Sequence, residues 1–426
     1  MQETGGKVEP GWEGVQAAFK ALHSGGWEKE GSAVAVWYKG RLVVDLWGGW
    51  ADRGAGRRWK EETMTVAWSS TKAVTMLAAQ MLVDRGLLDY EAPVKQYWPE
   101  FTRDGRDQLS VAQLLSHRAG LAMLDLERPV TVEMLKQQDW QSISRLFEEQ
   151  KPNWEISSEK HGYHAFTIGW LVDQLVRRVD PQQRSLGQFV RQEITQPHGL
   201  DFYIGLEPEK FHRVTRIHPP NRSDSAKKVL HGHFAVMALP MLSAVARMTG
   251  RRWFLGELIR NPPWLADGEM VMNSPEILQL EIGAANGVGT ARDLAAIFSL
   301  YTQALPFPLP SSLLINQLRL LEGELVKKDE AAWEAVLAEP AAKPRSDEVI
   351  LAPVDWNCGY WVSKTPTGEL ELGHPGYGGQ NVKFVPALEL SYAYLTNGLT
   401  PDMGDDAHNF AAIRKAIFHC LKELKE

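Results

Sequence analysis

Apolar residues recur at steps of three and four positions near both ends of the chain. The first such stretch runs from Trp12 to Leu22 and is followed by Gly25 and Gly26, and the last runs from Phe410 to Leu424. This spacing places the apolar side chains on one face of an α-helix, and a glycine pair after it favours helix termination. We therefore predict one amphipathic helix near each end of the chain.

Between these two helices lie short runs rich in β-branched and aromatic residues, which are typical of strands. Ala33 to Tyr38 and Arg41 to Trp47 flank the dipeptide Lys39-Gly40, a tight hairpin signal, and Gly48-Gly49 is expected to close the second strand. Further short strands, antiparallel in character, are predicted at Tyr360 to Ser363, Leu370 to His374, Val382 to Val385 and Tyr392 to Thr396.

The middle of the chain, from about residue 90 to 285, has mostly helical periodicity. The predicted helices are 69–85, Val111 to Leu115, Val132 to Gln150, Phe166 to Arg178, Leu186 to Thr195 and Ala291 to Leu305. Strands from both ends with helices between them favour an α/β (α+β) fold, an antiparallel sheet flanked by the terminal helices with an all-α lobe inserted. We predict a sheet lobe of residues 1–68 and 286–426, a mainly α-helical lobe of residues 69–285, and a functional cleft between them.

The composition is that of an ordinary soluble protein. Of the 426 residues 44% are hydrophobic and 23% are charged, and 46 basic against 53 acidic side chains give a net charge of −7. This balance disfavours nucleic acid and anionic membranes as partners, so a small-molecule partner is expected. The longest apolar run, Phe234 to Met248, is too short to cross a bilayer and predicts a core or lid helix, and Glu322 to Lys343 predicts a solvated insertion.

Few residues suggest metal or disulfide chemistry. Cys358 and Cys420 are too few for a disulfide framework and are expected to be reduced. His231-Gly232-His233 lacks the further ligands of a metallo-hydrolase, so no metal or organic cofactor is expected. The amino-terminal residues lack the apolar core of a signal peptide, which favours a cytoplasmic location. The sequence leaves the oligomeric state open, a homo-oligomer included.

A serine and a lysine three residues apart open the predicted helix 69–85. Side chains at this spacing share one helix face, so Lys72 can sit beside the Ser69 hydroxyl, and a desolvated lysine can take or relay its proton. The same spacing occurs at Ser157 to Lys160 and Ser225 to Lys228, but only Ser69 follows an apolar lead-in and begins a long amphipathic helix. A capping serine beside a solvated lysine is the alternative interpretation.

Two other segments offer groups that could complete such a site. Tyr163 precedes a helical pattern, so its phenol could reach the cleft and act as a base beside Lys72; a packed tyrosine is the common alternative. Gly373 to Gly379 follows a strand, and its glycines would let the backbone approach a ligand and offer N–H groups to an oxyanion. A simple turn is the alternative for this segment.

Taken in order, Ser69-x-x-Lys72, Tyr163 and His374-Pro375-Gly376 resemble the motifs of the serine β-lactamase and penicillin-binding-protein superfamily. The chain is most similar to class C-like members, the family VIII carboxylesterases and related β-lactamase-domain proteins. The resemblance spans roughly residues 12–420 and implies a β-lactamase-like fold. It is supported by matching stretches at 44–49, 86–89, 97–101, 114–121 and 162–167.

For the catalytic groups, the resemblance implies Ser69 as the acylated nucleophile, Lys72 as its proton partner and Tyr163 as the base. The family's usual Tyr-x-Asn is Tyr-His-Ala in this chain, with His164 and Ala165. The asparagine amide that helps to orient substrate and lysine is therefore absent, and His164 is a candidate replacement.

For the substrate-binding strand, the resemblance implies that His374 takes a substrate-binding position and that Gly376 keeps the backbone close to substrate. The N–H groups of Ser69 and Tyr377 would form the oxyanion hole. The family's Lys-Thr-Gly is His-Pro-Gly here: Pro375 has no hydroxyl and a histidine is mostly neutral at pH 7, so a penicillin-type carboxylate loses its main recognition groups. These departures favour ester substrates over β-lactams.

The sequence thus predicts a serine hydrolase that cleaves small carboxylic esters or related acyl compounds through an acyl-enzyme on Ser69. Two alternatives stay open: an amide hydrolase of the β-lactamase or D-amino-acid peptidase type, and a catalytically quiet scaffold with the same fold. His117 lies near the predicted cleft and is interpreted as a structural hydrogen-bonding residue.

Overall fold

The structure, a computed structural model, describes residues 3–156, 160–220, 261–266, 270–300, 347–350, 354–402 and 404–424. The apolar run Phe234 to Met248, the stretch Glu322 to Lys343 and the His231-Gly232-His233 segment lie outside these residues. Within the described ranges, no helix is long and apolar enough to cross a membrane. Cys358 and Cys420 are both free thiols, as predicted.

Strands from both ends of the chain build one antiparallel sheet. The strands are β1 Thr4–Val8, β2 Gly31–Tyr38, β3 Arg41–Asp52, β4 Arg57–Arg58, β5 Thr65–Val66, β6 Phe202–Tyr203, β7 Val288–Gly289, β8 Asp355–Asn357, β9 Tyr360–Lys364, β10 Leu370–Pro375, β11 Asn381–Val385 and β12 Leu390–Thr396. The main sheet has the order β1-β3-β2-β12-β11-β10-β9-β8, with β4 beside β3, and a small second sheet has the order β5-β7-β6. In the middle of the main sheet, β2 pairs with β12, so the two ends of the chain meet there.

Helices cover both faces of the main sheet. They are α1 Glu13–Ser24, α2 Thr71–Asp84, α3 Val111–Leu115, α4 Val132–Lys136, α5 Trp140–Glu149, α6 Thr167–Val179, α7 Leu186–Phe189, α8 Pro275–Leu278, α9 Ala291–Ser299 and α10 His408–Glu423. One face of the sheet packs against α1 and α10, and Phe19 and Phe410 are buried there with Tyr392. The other face packs against α2 and α9, and α6 and α7 from the middle of the chain pack in turn against α2.

Short helical turns link these elements. They are 3₁₀ turns at Trp68–Ser70, Val94–Gln96, Arg103–Gln108, Gln196–His198, Pro208–Arg213, Pro263–Ala266, Val271–Asn273 and Pro386–Leu388, and a π-helical turn at Val190–Thr195. The predicted α+β architecture is confirmed: an antiparallel sheet carries the terminal helices, and helices fill the middle of the chain. The division of the chain into lobes at residues 69 and 285 stays a prediction.

The prediction that Gly48 and Gly49 end the second strand is wrong. β3 continues through both glycines to Asp52. A Cβ atom at Gly48 would lie 2.8 Å from the Thr4 side chain, so the missing side chain makes room for β1. The glycines permit pairing with β1, a strand whose Thr4–Val8 sequence has no alternating pattern to predict it.

The single helix predicted over Val132 to Gln150 is two helices. Gln138 adopts a left-handed conformation with φ of 52°, which breaks the helix after α4. The Asp139 side chain then accepts the Ser142 N–H at 3.1 Å and caps the start of α5. The hairpin at Lys39-Gly40 forms as predicted, with positive φ at both residues.

A buried carboxyl group lies where α10 meets the sheet. Glu28 is only 1% exposed and accepts hydrogen bonds from Tyr394 Oη at 2.6 Å, Thr396 Oγ1 at 3.0 Å and Asn409 Nδ2 at 3.3 Å. Burial is the main reason that the pKa of Glu28 rises from its ordinary 4.5 to about 7, since desolvation disfavours the carboxylate. The folded protein therefore holds a proton here at a pH where the unfolded chain has lost it.

We expect Glu28→Gln to flatten the pH dependence of stability. In the wild type the free energy of unfolding falls as pH rises through the window from 4.5 to about 7, because the folded state must then release the proton that it held. This loss is about 2 kcal/mol between roughly pH 5.5 and pH 8. Urea unfolding of both proteins at the two pH values measures it. Exposed Glu127→Gln is the control, and equal slopes for Glu28→Gln and the wild type would contradict the expectation.

Candidate active site

A sharp turn presents Ser69 at the head of α2. Trp68 has φ of 49°, a left-handed conformation that is strained by about 1–3 kcal/mol in a bulky residue. The Trp68 ring packs edge-on against the Tyr377 ring with centroids 5.2 Å apart, and the Ala67 N–H donates to Gly287 O at 2.7 Å. These contacts hold the turn, so Ser69 is partly exposed while Ser70 is buried and donates to His374 O at 2.9 Å.

Lys72 lies in the first turn of α2, three residues after Ser69, and its side chain is fully buried beside the serine. Its Nζ is 3.1 Å from Ser69 Oγ, 2.7 Å from Ala165 O and 2.8 Å from Ala284 O. Burial lowers the pKa of Lys72 well below its usual range, which favours the neutral amine. A neutral amine has two N–H bonds, which the two carbonyl oxygens accept. Its lone pair is then left for the hydroxyl of Ser69.

Tyr163 reaches the same hydroxyl from the loop that precedes α6. Its Oη donates to Ser69 Oγ at 2.8 Å, and Lys72 Nζ lies 4.8 Å from the centre of the tyrosine ring. Desolvation raises the pKa of the phenol well above its usual range. Tyr163 is therefore a protonated donor in the resting site, which disfavours the phenolate base that the sequence predicted.

Asp347 and Trp356 contact Tyr163 and were missed by the sequence analysis. The Tyr163 N–H donates to Asp347 Oδ1 at 3.0 Å, and Trp356 Nε1 donates to Asp347 Oδ2 at 3.3 Å. The Trp356 ring lies parallel to the Tyr163 ring, with centroids 5.6 Å apart and an interplanar angle of 2°. Neither residue lies in a motif, so only the fold brings them to the site.

His374 lies on β10 with its ring buried next to Trp356 and Tyr163. Its Nδ1 donates to Pro375 O at 2.7 Å, so a neutral ring carries its proton on Nδ1 and an unprotonated lone pair on Nε2. Burial is the main reason that the pKa of His374 lies well below its usual value. His374 is therefore neutral at physiological pH.

Gly376 lets β10 approach the turn that carries Ser69. A Cβ atom at Gly376 would lie 2.6 Å from Ala67 O, closer than side-chain atoms are found to backbone. The Gly376 N–H donates to Gln380 O at 2.8 Å, and Tyr377, which follows, is 41% exposed. The segments that carry the Ser69 and Tyr377 N–H groups are therefore neighbours.

His164 is buried and satisfied by backbone groups. Its Nδ1 donates to Gly162 O at 2.6 Å, and its Nε2 accepts the Leu121 N–H at 2.9 Å. Neither ring nitrogen is left to orient a substrate, so the structure does not place His164 in the role of the missing asparagine. Lys72 is held instead by the main-chain oxygen of Ala165. His117 accepts the His164 N–H at Nδ1 and is a structural hydrogen-bonding residue, as predicted.

Metal ligands do not cluster in the described part of the chain. No group of three or more His, Cys, Asp or Glu side chains is arranged there to hold a metal ion. The candidate site in these residues thus consists of the Ser69 hydroxyl, the Lys72 amine and the Tyr163 phenol, beside the strand end that carries Gly376.

Known proteins share both the sequence and the fold. The chain is 30% identical over 429 residues to the esterase/β-lactamase LipL of Mycobacterium tuberculosis, a match that covers 98% of this chain and 88% of LipL. The structure superposes on a family VIII carboxylesterase with a TM-score of 0.75 at 26% identity, covering 98% of this chain and all of the other. A penicillin-binding-protein homologue from Caulobacter crescentus gives a TM-score of 0.73 at 27% identity, with 98% and 100% of the two chains covered.

Each of these likenesses covers 98% of this chain. They confirm the β-lactamase-like fold that the sequence motifs implied. The family model described as Beta-lactamase matches residues 19–416. The chain therefore belongs to the Beta-lactamase family.

Proposed function

We propose that this protein is a serine hydrolase of small carboxylic esters that works through an acyl-enzyme on Ser69. The observation that carries the proposal is the placement of Tyr163 Oη and Lys72 Nζ at 2.8 Å and 3.1 Å from Ser69 Oγ. A serine hydroxyl becomes a useful nucleophile when a base accepts its proton as it attacks. LipL is named an esterase/β-lactamase and the structural neighbour a family VIII carboxylesterase, and both names support ester hydrolysis in this fold.

In acylation, Ser69 Oγ forms a bond to the ester carbonyl carbon while its proton passes to Lys72 Nζ. The backbone N–H groups of Ser69 and Tyr377 stabilise the oxyanion. The intermediate then collapses, and the bond from carbon to the alcohol oxygen breaks. Tyr163 donates its proton to the departing alkoxide, and the proton held by Lys72 restores the phenol.

In deacylation, water takes the place of Ser69 as the nucleophile, Ser69 becomes the leaving group, and the proton transfers follow in the same order. The water oxygen bonds to the acyl carbon, and one water proton passes to Lys72. The bond from the acyl carbon to Ser69 Oγ then breaks, and the serine oxygen takes a proton from Tyr163, which Lys72 restores. A carboxylic acid leaves, and all three groups return to their starting protonation states.

The substrate-binding strand favours neutral acyl groups over anionic ones. Pro375 offers no hydroxyl or N–H, and His374 is neutral because burial lowers its pKa. A substrate carboxylate would find neither a charged partner nor a hydroxyl at these two residues. Esters without a carboxylate beside the reacting carbonyl are therefore the favoured substrates, and β-lactams are disfavoured.

We expect Ser69→Ala to abolish covalent labelling. A fluorophosphonate, a short-chain p-nitrophenyl ester and a chromogenic cephalosporin each form a bond to the nucleophile of a serine hydrolase that accepts them. Intact-mass spectrometry should find the fluorophosphonate and ester adducts on the wild type and on exposed Ser24→Ala, but not on Ser69→Ala. Adducts that persist in Ser69→Ala would place the nucleophile elsewhere, an adduct with the cephalosporin alone would favour an amide hydrolase, and no adduct on the wild type would favour a quiet scaffold.

Tyr163→Phe tests the proton donor. An alkoxide leaving group needs a proton, whereas p-nitrophenolate leaves without one, so kcat/KM should fall by about 100-fold or more for an ethyl ester and by less than about tenfold for the p-nitrophenyl ester of the same acid. Steady-state kinetics on the two esters measures this ratio. Tyr203→Phe, whose hydroxyl bonds Asp201 away from the site, is the control. Equal losses on both esters would argue against Tyr163 as the donor.

Gly376→Ala tests the close approach of β10. The added methyl would meet Ala67 O, so the strand end must shift away from Ser69. We expect fluorophosphonate labelling of Ser69 to slow by at least about tenfold, since small displacements of reacting groups are costly. Gly54→Ala is the control because the nearest atom to its added Cβ lies at 3.5 Å. If Gly376→Ala is labelled as fast as Gly54→Ala, the close approach of β10 to the Ser69 turn is not needed for the reaction.

A further inference from the structure

We propose that Asp347 and Trp356 are positioning residues for Tyr163, so that proton donation to the leaving alcohol depends on both. The inference rests on the proposed function and deepens it, because it concerns one step of that reaction. Tyr163 lies in a loop before α6, and a loop alone does not fix the position of a side chain. Its phenol nevertheless has to lie close to both Ser69 and the leaving oxygen.

Asp347 fixes the backbone of that loop. Its carboxylate is fully buried, and Oδ1 accepts the Tyr163 N–H at 3.0 Å together with the N–H groups of Val349 and Ile350, both at 2.9 Å. One oxygen thus ties Tyr163 to the tight turn 347–350. Val349 anchors this turn by packing in a small buried cluster with Ala165, whose carbonyl oxygen holds Lys72.

Trp356 fixes the ring of Tyr163. The two rings are parallel with centroids 5.6 Å apart, so the indole blocks one face of the phenol. The indole is itself held by the hydrogen bond that its N–H donates to Asp347 Oδ2 at 3.3 Å. It also packs edge-on against the His117 ring, with ring centroids 4.4 Å apart. Asp347 therefore holds Tyr163 both directly, through the backbone, and indirectly, through the ring stacked on it.

The negative charge of Asp347 supports proton donation by Tyr163, as its hydrogen bonds do. A carboxylate close to the phenol disfavours the phenolate, and it adds to the desolvation that raises the pKa of Tyr163. Both effects keep a proton on Oη, where the leaving alcohol needs it. A residue with a merely structural role would lower the rates on all esters alike.

The test compares an ethyl ester with the p-nitrophenyl ester of the same acid, for the wild type and three variants. Asp347→Asn keeps the shape but removes the charge and one acceptor, and Trp356→Leu removes the stacked ring. We expect each to lower kcat/KM, which reports acylation, by about tenfold on the ethyl ester and by less than about threefold on the p-nitrophenyl ester. Trp356→Phe keeps a stacked ring, and we expect it to restore most of the ethyl-ester rate.

Asp173→Asn is the matched control. Asp173 is a buried carboxylate that also accepts one backbone N–H, from Leu186 at 2.8 Å, and one side-chain N–H, from Arg177 at 2.8 Å. Its contacts lie within α6 and with α7, apart from Tyr163. Whatever the loss of a buried charge does to the whole fold, Asp173→Asn should leave the ratio of the two ester rates as in the wild type.

A folded Asp347→Asn with the wild-type melting temperature and an unchanged ester ratio would overturn the inference. If Asp347→Asn does not fold, Trp356→Leu and Trp356→Phe decide it, and an unchanged ratio in Trp356→Leu overturns it equally. Two other results would contradict the proposed function itself, and therefore this inference too. They are the absence of an adduct on Ser69 in the wild type, and a Tyr163→Phe variant with the wild-type ratio of ethyl-ester to p-nitrophenyl-ester rates.

Discussion

The burial of the Lys72 side chain is the constraint on which the site depends. An ammonium loses much of its hydration free energy when it enters a protein interior, and in the part of the chain that the structure describes no carboxylate pairs with Lys72 to compensate. The neutral amine is the cheaper state. The main-chain oxygens of Ala165 and Ala284 accept hydrogen bonds from this amine and hold Nζ 3.1 Å from Ser69 Oγ. The burial of Lys72 thus determines both the position of its amine and the basicity of that amine.

The same desolvation leaves the surrounding imidazoles uncharged. Burial lowers the pKa of His117 and His374 well below the usual histidine value and that of His164 to about 3. The rings stack among aromatic side chains and bond to backbone, so they shape the site without adding positive charge. These neutral surroundings support the proposed preference for neutral acyl groups over substrates with a carboxylate.

Local sequence patterns were enough to predict most of the elements, and motif order with the family resemblance predicted that Ser69, Lys72 and Tyr163 come together. The order of Ser69, Lys72 and Tyr163, each in its local context, predicted a hydroxyl and two groups, Lys72 Nζ and Tyr163 Oη, that the fold brings within hydrogen-bond distance of it. The patterns failed where a residue's role depends on the rest of the fold. The β3 glycines permit pairing with β1 and do not form a turn, and Asp347 and Trp356 reach Tyr163 only through tertiary packing.

Protonation was also beyond the reach of the sequence. A tyrosine beside a lysine in a motif can be base or acid, and only its burial decides between them. Desolvation raises the pKa of Tyr163 and lowers that of Lys72, which favours a protonated phenol and a neutral amine in the resting site and supports the proposed roles of the two groups. For His164, position in the motif suggested a substrate contact, whereas its ring hydrogen-bonds to the backbone of Gly162 and Leu121.

The pairing of β2 with β12 has a consequence for biosynthesis. At ribosomal rates of about 5–20 residues per second, the partner strand emerges on the order of twenty seconds to a minute after β2. Throughout that interval the valine-rich β2 has an open edge that could pair with other nascent chains. The β10 segment beside Ser69 is also made long after α2, so the candidate site can assemble only after residue 376 has been synthesised.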